Sequence, residues 1–458
     1  MNNSVIINKT PPDVLSLIPK YWEDHDRDEN LIKLTHVCRA WRELFTSRPS
    51  LWSRLDCRSV DKTKVYIERS KSFPLDISFK LTHNTFRREE ALVLAVPHFG
   101  RLVTLSVHGK PEVIPALAKH CSSSLPLLHT LNINIARNPT PVLPENLLNG
   151  DFSSLCELSL GGVITPLPWR DLSNLTTFNL RQVPGDMIHL TQLLDFLESA
   201  PRLRYVKLRN SIPNPSDAPT ERVVSLPHLK KFSVITSQPH SILLNHLSIP
   251  AGVLLRLEFT FSGLKSPIQS YLPNPPNNLH NLSHITAMNL CFSSEQKSLR
   301  LNGPSGELYM LGNWTRDDHK PRAGTGRFLY SLDQFDVSRC RWLAITLCDY
   351  RSRDLPQIET WCLYKALRPM EDLRTLTLVG CNNFHFIPKK NPSNIILYPT
   401  LEEIVLHIER SDQLHLEELL NMVEERASRG ARLPAITIVS AGALAPTREV
   451  LKSRRRLD

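Results

Sequence analysis

From about residue 60 onward one pattern recurs along the chain: apolar, two positions, apolar, one position, apolar, then a polar or proline-rich stretch. It starts at Leu102, Leu128, Leu155, Leu175, Leu203, Leu229, Leu254, Ile285, Trp342, Leu373 and Leu401, with a weaker twelfth start at Leu433. The residue between the last two apolar positions is Ser106, Asn132, Ser159, Asn179, Lys207, Ser233, Glu258, Asn289, Thr346, Thr377 or Val405, and only Val405 is apolar. Such alternation predicts a strand with one buried and one exposed face. Helical spacing lies between some of these strands. Residues 186–200 align Leu190, Leu193, Leu194 and Leu197; residues 415–430 align Leu416, Leu419, Leu420 and Val423 and stop at Gly430.

The first eleven starts fall 20 to 31 residues apart, apart from one step of 57. That is the period of a leucine-rich solenoid, with the long step standing for two units. A single unit cannot bury its own apolar face, so neighbours must stack. The expectation is an α/β fold: a parallel array in which the eleven strands are adjacent and Leu131, Leu158, Leu208 and Leu376 are buried. Residues 296–330 break the pattern and read as one degenerate repeat with a glycine-rich insertion. Residues 212–221 and 273–281 read as long surface loops. The chain has 35 prolines against 16 glycines, so it is cut into many short elements. Proline stands two residues before the strand leucine at Pro126, Pro201, Pro227 and Pro399.

The first fifty-odd residues have a different texture. Pro11 and Pro12 open a helical stretch with Val14, Leu15 and Ile18 on one side. An acidic connector, 23–30, follows. Then Leu31, Leu34, Val37, Cys38, Trp41, Leu44 and Phe45 form one helical stripe, ended by Pro49-Ser50-Leu51-Trp52. A stripe that wide must be buried, in a segment too small to make a full core alone.

Composition adds limits. At 41% hydrophobic and 22% charged the chain is ordinary for a folded soluble protein. The net charge is +10, but Lys and Arg are spread along the whole length among acids, so nucleic acid is not an expected partner. The dense run 452–456, Lys-Ser-Arg-Arg-Arg, reads as a solvated tail. No apolar run is long enough for a bilayer, and the first ten residues do not read as a secretory signal. Nine scattered cysteines without a Cys-x-x-Cys pair suit reduced thiols. Cytoplasmic or nuclear location and no membrane association are the expectation.

The N-terminal stretch resembles an F-box. The residues that carry the resemblance are Pro11, Asp13-Val14-Leu15, Leu34 to Leu44 with Val37-Cys38 and Trp41, and Pro49 to Trp52. Thr10 stands where the family usually has Leu, and the acidic loop is longer than the family minimum. The remainder is similar to the divergent leucine-rich arrays that often follow an F-box, with only Cys381 at the repeat's Asn/Cys position. The resemblance implies a helical domain over 1–57, a repeat solenoid over 58–450 and a basic tail over 451–458. It also implies docking on the Skp adaptor, and through it cullin, with Pro11, Val14, Leu15, Ile18, Leu31, Leu34, Val37, Cys38, Trp41 and Trp52 as adaptor-binding residues. Trp41 and Leu44 could equally pack on the first repeats.

No catalytic motif emerges: there is no nucleophile elbow, no Walker loop and no dinucleotide fingerprint. His280 and His284 are four apart but lack an acidic partner. No cofactor or metal is expected. The working surface is expected on the outward sheet face, where Tyr205, Lys207, Arg209, Lys231 and Arg256 would form a basic patch suited to an acidic or phosphorylated segment of a protein substrate. The F-box resemblance then implies a non-catalytic substrate receptor of a ubiquitin ligase, or a scaffold that binds the Skp adaptor outside any ligase.

Overall fold

The computed structural model describes residues 10–22, 27–57, 59–81, 85–122, 125–136, 140–145, 147, 151–165, 172–213, 222–237, 241–261, 271–273, 278–293, 296–314, 332, 335–347, 368–380, 398–408, 416–428, 430 and 432–440. The tail from 451, the glycine-rich stretch 321–330 and Cys381 lie outside them. The chain divides into two compact units, residues 1–183 and 184–458. Each is mixed α/β on a largely parallel sheet.

The first unit opens with four helices: α1 (Pro12–Leu15), α2 (Arg27–Val37), α3 (Arg39–Thr46) and, after the short strand β1 (Arg54–Leu55), α4 (Val60–Ser70). Strand β2 (Leu75–Leu81), α5 (Thr85–Ala95), β3 (Leu102–Gly109) and α6 (Val113–His120) follow. Strands β4 (Thr130–Ile135), β5 (Glu157–Gly161) and β6 (Thr177–Arg181) complete the unit. The six strands pair in chain order and all are parallel. Alternation places two ladders inward. Ile77, Leu105, Leu131, Leu158 and Phe178 form one, and Phe79, Val107, Ile133, Leu160 and Leu180 the other, all buried.

The second unit holds α7 (Leu190–Glu198), β7 (Tyr205–Arg209), β8 (Val224–Ser225), β9 (Lys231–Thr236), α8 (Ser241–Asn245), β10 (Leu247–Ser248) and β11 (Val253–Phe261). Strands β12 (Ala287–Phe292), β13 (Gln296–Gly303), β14 (Gly306–Trp314), β15 (Trp342–Leu347), β16 (Thr375–Val379) and β17 (Glu403–Ile408) come next, then α9 (Leu416–Ser428) and β18 (Ala435–Ser440). Its sheet runs β7-β9-β11-β14-β13-β12-β15-β16-β17-β18. Every pairing is parallel except those of β13, which is antiparallel to both neighbours. Strands β8 and β10 form a separate parallel pair.

All twelve pattern starts lead into strands, and Leu131, Leu158, Leu208 and Leu376 are buried as expected. A repeated turn explains why. The N–H of Leu128, Leu155, Leu175, Leu203, Leu229 and Leu401 each donates to the carbonyl three residues earlier, at 3.0–3.2 Å. Proline at the second position of such a turn is already held at the φ the turn requires, which accounts for Pro126, Pro201, Pro227 and Pro399. The leucine that closes the turn is buried in all six cases.

Within the second unit the expected adjacency is corrected in one place. Strands β13 and β14 lie between β11 and β12, so Leu254 and Ile285 do not start neighbouring strands. The segment 296–314 is therefore not a degenerate repeat but a hairpin. Gly303-Pro304-Ser305-Gly306 closes it, and Gly303 needs its missing side chain: a Cβ there would sit 1.7 Å from the His284 carbonyl oxygen. Gly303→Ala must displace that backbone, and we expect a loss of about 1–3 kcal/mol, read as a lower urea midpoint at unchanged slope.

Helix α7 buries Leu190, Leu193, Leu194 and Leu197 as the spacing predicts. Helix α9 departs from it. Leu420 is exposed, and among the described side chains of the helix the buried one is Arg426, whose guanidinium donates to the carbonyls of Tyr398 and Arg432. The side chains of Leu416 and Leu419 lie outside the described residues. Among the described residues no helix is long and apolar enough to cross a membrane.

Candidate functional site

Two surfaces carry the residues singled out by sequence, one in each unit. The first is built from the N-terminal helices. The expected single stripe from Leu31 to Phe45 is broken at Cys38, which is extended (φ −160°, ψ 171°) between α2 and α3. Thr35, His36, Val37 and Cys38 are all weak helix formers, so little opposes the break. Arg42 Nε donates to the Thr35 carbonyl at 3.0 Å and so satisfies an end-of-helix acceptor. The corner turns Val37 outward.

The inward side is closed around Trp52. Its indole N–H donates to the Phe45 carbonyl at 2.9 Å. Tyr66 meets its ring edge-on at 5.0 Å, and the Arg69 guanidinium covers it at 4.3 Å. Trp41 packs edge-on against Phe45 at 5.7 Å. Helix α4 is tied to α2 by a polar cluster: Tyr66 donates to Asp28 at 3.0 Å, and Lys62 binds both Asp28 and Asp56. Burial, then the Asp28 charge, push the Tyr66 hydroxyl well above its ordinary pKa. Burial acts to lower Lys62, but its hydrogen bonds to Asp28 and Asp56 prevail and raise it. The N-terminal helices thus pack on the segment just beyond residue 57.

The ten residues expected to bind an adaptor fall into three sets. Leu15, Leu31, Trp41 and Trp52 are buried in the unit itself. Ile18, Leu34 and Cys38 are half-buried. Pro11, Val14 (51% exposed) and Val37 (59%) face solvent. Sequence reasoning missed Leu17, Tyr21 and Ile32, which are also exposed, Tyr21 at 85%. The spacing of Val14, Leu17 and Tyr21, three then four, was the available signal. A cleft of about 340 Å³ opens here, with Val14, Leu17 and Leu51 as its apolar lining. The Asp13–Arg48 ion pair, Ser16 and Ser50 are its polar lining. This surface can receive an apolar side chain and hold its backbone by polar contacts. It offers no nucleophile paired with a base.

The second surface is the outward face of the sheet in the second unit. Tyr205, Lys207 and Arg209 all project from β7 into solvent. Tyr205 stands beside Lys231, and Lys207 beside Ser233. Ser233 stands beside Arg256, so Lys207 and Arg256 share a row about 10 Å apart. The expected patch is therefore assembled, with one correction. Arg256 pairs with Glu258 two residues on, and its guanidinium lies 5.3 Å over the Tyr309 ring. Arg300 pairs likewise with Glu307. Alternation in β11 puts Glu258 on the same face as Arg256, so the acid was legible. The β14 partners are not, because the spacing of 296–330 reads as a degenerate repeat and not as a hairpin beside β11. The excess positive charge of this face thus sits on β7 and Lys231.

Among the described residues no group of three or more His, Cys, Asp or Glu is placed to hold a metal ion. No protein-family model matches the chain, and no curated protein matches it in sequence.

Proposed function

We propose that this chain is the substrate-receptor subunit of a Skp–cullin–F-box ubiquitin ligase, non-catalytic itself. Its N-terminal helices bind the Skp adaptor as an F-box, and the strands beyond form a leucine-rich-repeat-like solenoid that carries a target protein. The observation that carries the reading is the coincidence of motif and surface. The segment that resembles an F-box buries Leu31, Trp41, Phe45 and Trp52, with α4 closing over Trp52, and still leaves Val14, Leu17 and Val37 in water. Large exposed apolar groups on so small a unit mark a protein contact.

The test is co-purification. The full chain should bring down the Skp adaptor, and addition of cullin should give a three-component complex. Adaptor without cullin would leave the scaffold reading; no adaptor would overturn both.

The target side rests on Tyr205, Lys207, Arg209 and Lys231. Lys207→Glu with Arg209→Glu should remove proteins captured by an acidic segment and leave adaptor binding unchanged. The loss should match what added salt does to the wild type, since exposed charges are screened over about 8 Å at physiological ionic strength. Proximity labelling of the two forms reads it: an unchanged set of labelled proteins would make β7 an ordinary solvated strand.

A further inference from the structure

The outward face of the first unit has a chemistry of its own. Across β2 to β6 its middle row is Ser78, Ser106, Asn132, Ser159 and Asn179, each in register with the next. The Oδ1 atoms of Asn132 and Asn179 are buried without a hydrogen-bond partner. The next row, toward the strands' C-terminal ends, is Lys80, His108, Asn134, Gly161 and Arg181. It contains no acid.

That second row converges. A Cβ at Gly161 would stand 2.6 Å from Asn134 Oδ1, so the glycine lets the Asn134 amide lie across β5 toward Arg181. Arg181 Nε is buried and has no hydrogen-bond partner. Burial, then the charges of Lys80 and Arg181, hold the His108 imidazole below its ordinary pKa, and no carboxylate is among the groups acting on it. Lys80 from β2 and Arg181 from β6 are thus both felt at β3.

We propose that this face binds an extended acidic peptide, with an Asp or Glu carboxylate of the partner on Arg181. The Arg181 Nε–H has no partner, and with the adjacent Nη–H it makes the fork that matches a planar carboxylate. Beside it, the Asn132 and Asn179 acceptors suit the main-chain N–H groups of a strand laid across the sheet. Four strand spacings span about 19 Å, the length of roughly six extended residues. The row holds a single arginine, which fits a monoanionic carboxylate rather than a phosphate dianion, for which arginines cluster. None of the outward positions from Asp76 to Arg181 on these strands is Phe, Tyr or Trp, so the face lacks a stacking platform for bases. The site does not depend on adaptor docking or on the β7 patch.

The experiment uses the full-length protein and a fluorescein-labelled peptide of alternating Glu and Ser, read by anisotropy. We expect it to bind at least about tenfold tighter than the Gln–Ser peptide, Arg181→Gln to lower its affinity at least about tenfold, and Lys80→Gln about threefold. Both substitutions should have the same effect in a Lys207→Glu, Arg209→Glu background, which removes any peptide held by β7. Unchanged binding by an Arg181→Gln protein that melts normally overturns the proposal. If that variant does not fold, unchanged binding by Lys80→Gln, whose side chain is at the surface, overturns it instead. Tighter binding of the phosphoserine–Ser peptide or of oligouridine overturns the carboxylate assignment. Loss of binding in the Lys207/Arg209 reversal moves the peptide to the second unit.

Discussion

Trp52→Ala is expected to cost about 3–5 kcal/mol and to unfold the N-terminal helices. The indole is almost wholly buried, and its removal takes away three things together. The Phe45 carbonyl loses its donor, Tyr66 loses its edge contact, and the Arg69 guanidinium is left over a cavity. Small domains have only about 5–15 kcal/mol in hand, so this one substitution is a large fraction of the whole. Trp52→Phe keeps most of the buried surface and removes the N–H, and should cost about 1–3 kcal/mol for the unsatisfied carbonyl. Urea denaturation followed by hydrogen exchange over residues 27–46 reads both. Equal protection in wild type and Trp52→Ala would mean that the helices are held without the indole.

Val14→Glu with Val37→Glu should do the opposite: leave stability within about 0.5 kcal/mol and abolish adaptor binding. Both side chains already stand in water, so the folded unit loses little. A protein contact that buries them would have to desolvate two unpaired carboxylates, and hot-spot losses of about 2 kcal/mol or more are the usual scale. That corresponds to a drop of about thirtyfold or more in affinity for the purified Skp adaptor. Surface plasmon resonance with a thermal melt as control separates the two effects. Wild-type affinity in a normally melting variant would remove these valines from any docking face. Leu15→Ala with Trp41→Ala is the contrasting pair. Both residues are buried, so that pair should lose adaptor binding through loss of the fold.

The charge pattern on the two sheet faces was only partly readable. Lys207 and Arg209 follow from alternation within β7 alone, and they are where alternation places them. The partners of Arg256 depend on which strand lies beside β11. Glu258 is two residues along the same strand, but Tyr309 comes from β14, fifty-three residues later in the chain. No local pattern encodes a neighbour at that separation.

What the amino-acid sequence determined by itself was everything that depends on short spacing. The strand starts, the prolines before four of them, the inward leucines of β4, β5, β7 and β16, and helix α7 all follow from periods of two and 3.6 and from proline's fixed φ. Tertiary structure decided the rest. It turned one apolar stripe into two helices at Cys38, because the Thr35 carbonyl found Arg42 and Trp52 found Phe45. It assigned Leu15, Leu31, Trp41 and Trp52 to the core and Val14 and Val37 to water, a choice that period alone leaves open among apolar residues. It slid a hairpin between β11 and β12, and set Asn134 across Gly161 beside an Arg181 whose Nε has no partner. Pairing across a sheet is chosen by burial and by hydrogen bonds between strands tens of residues apart, and those energies exist only once the strands have met.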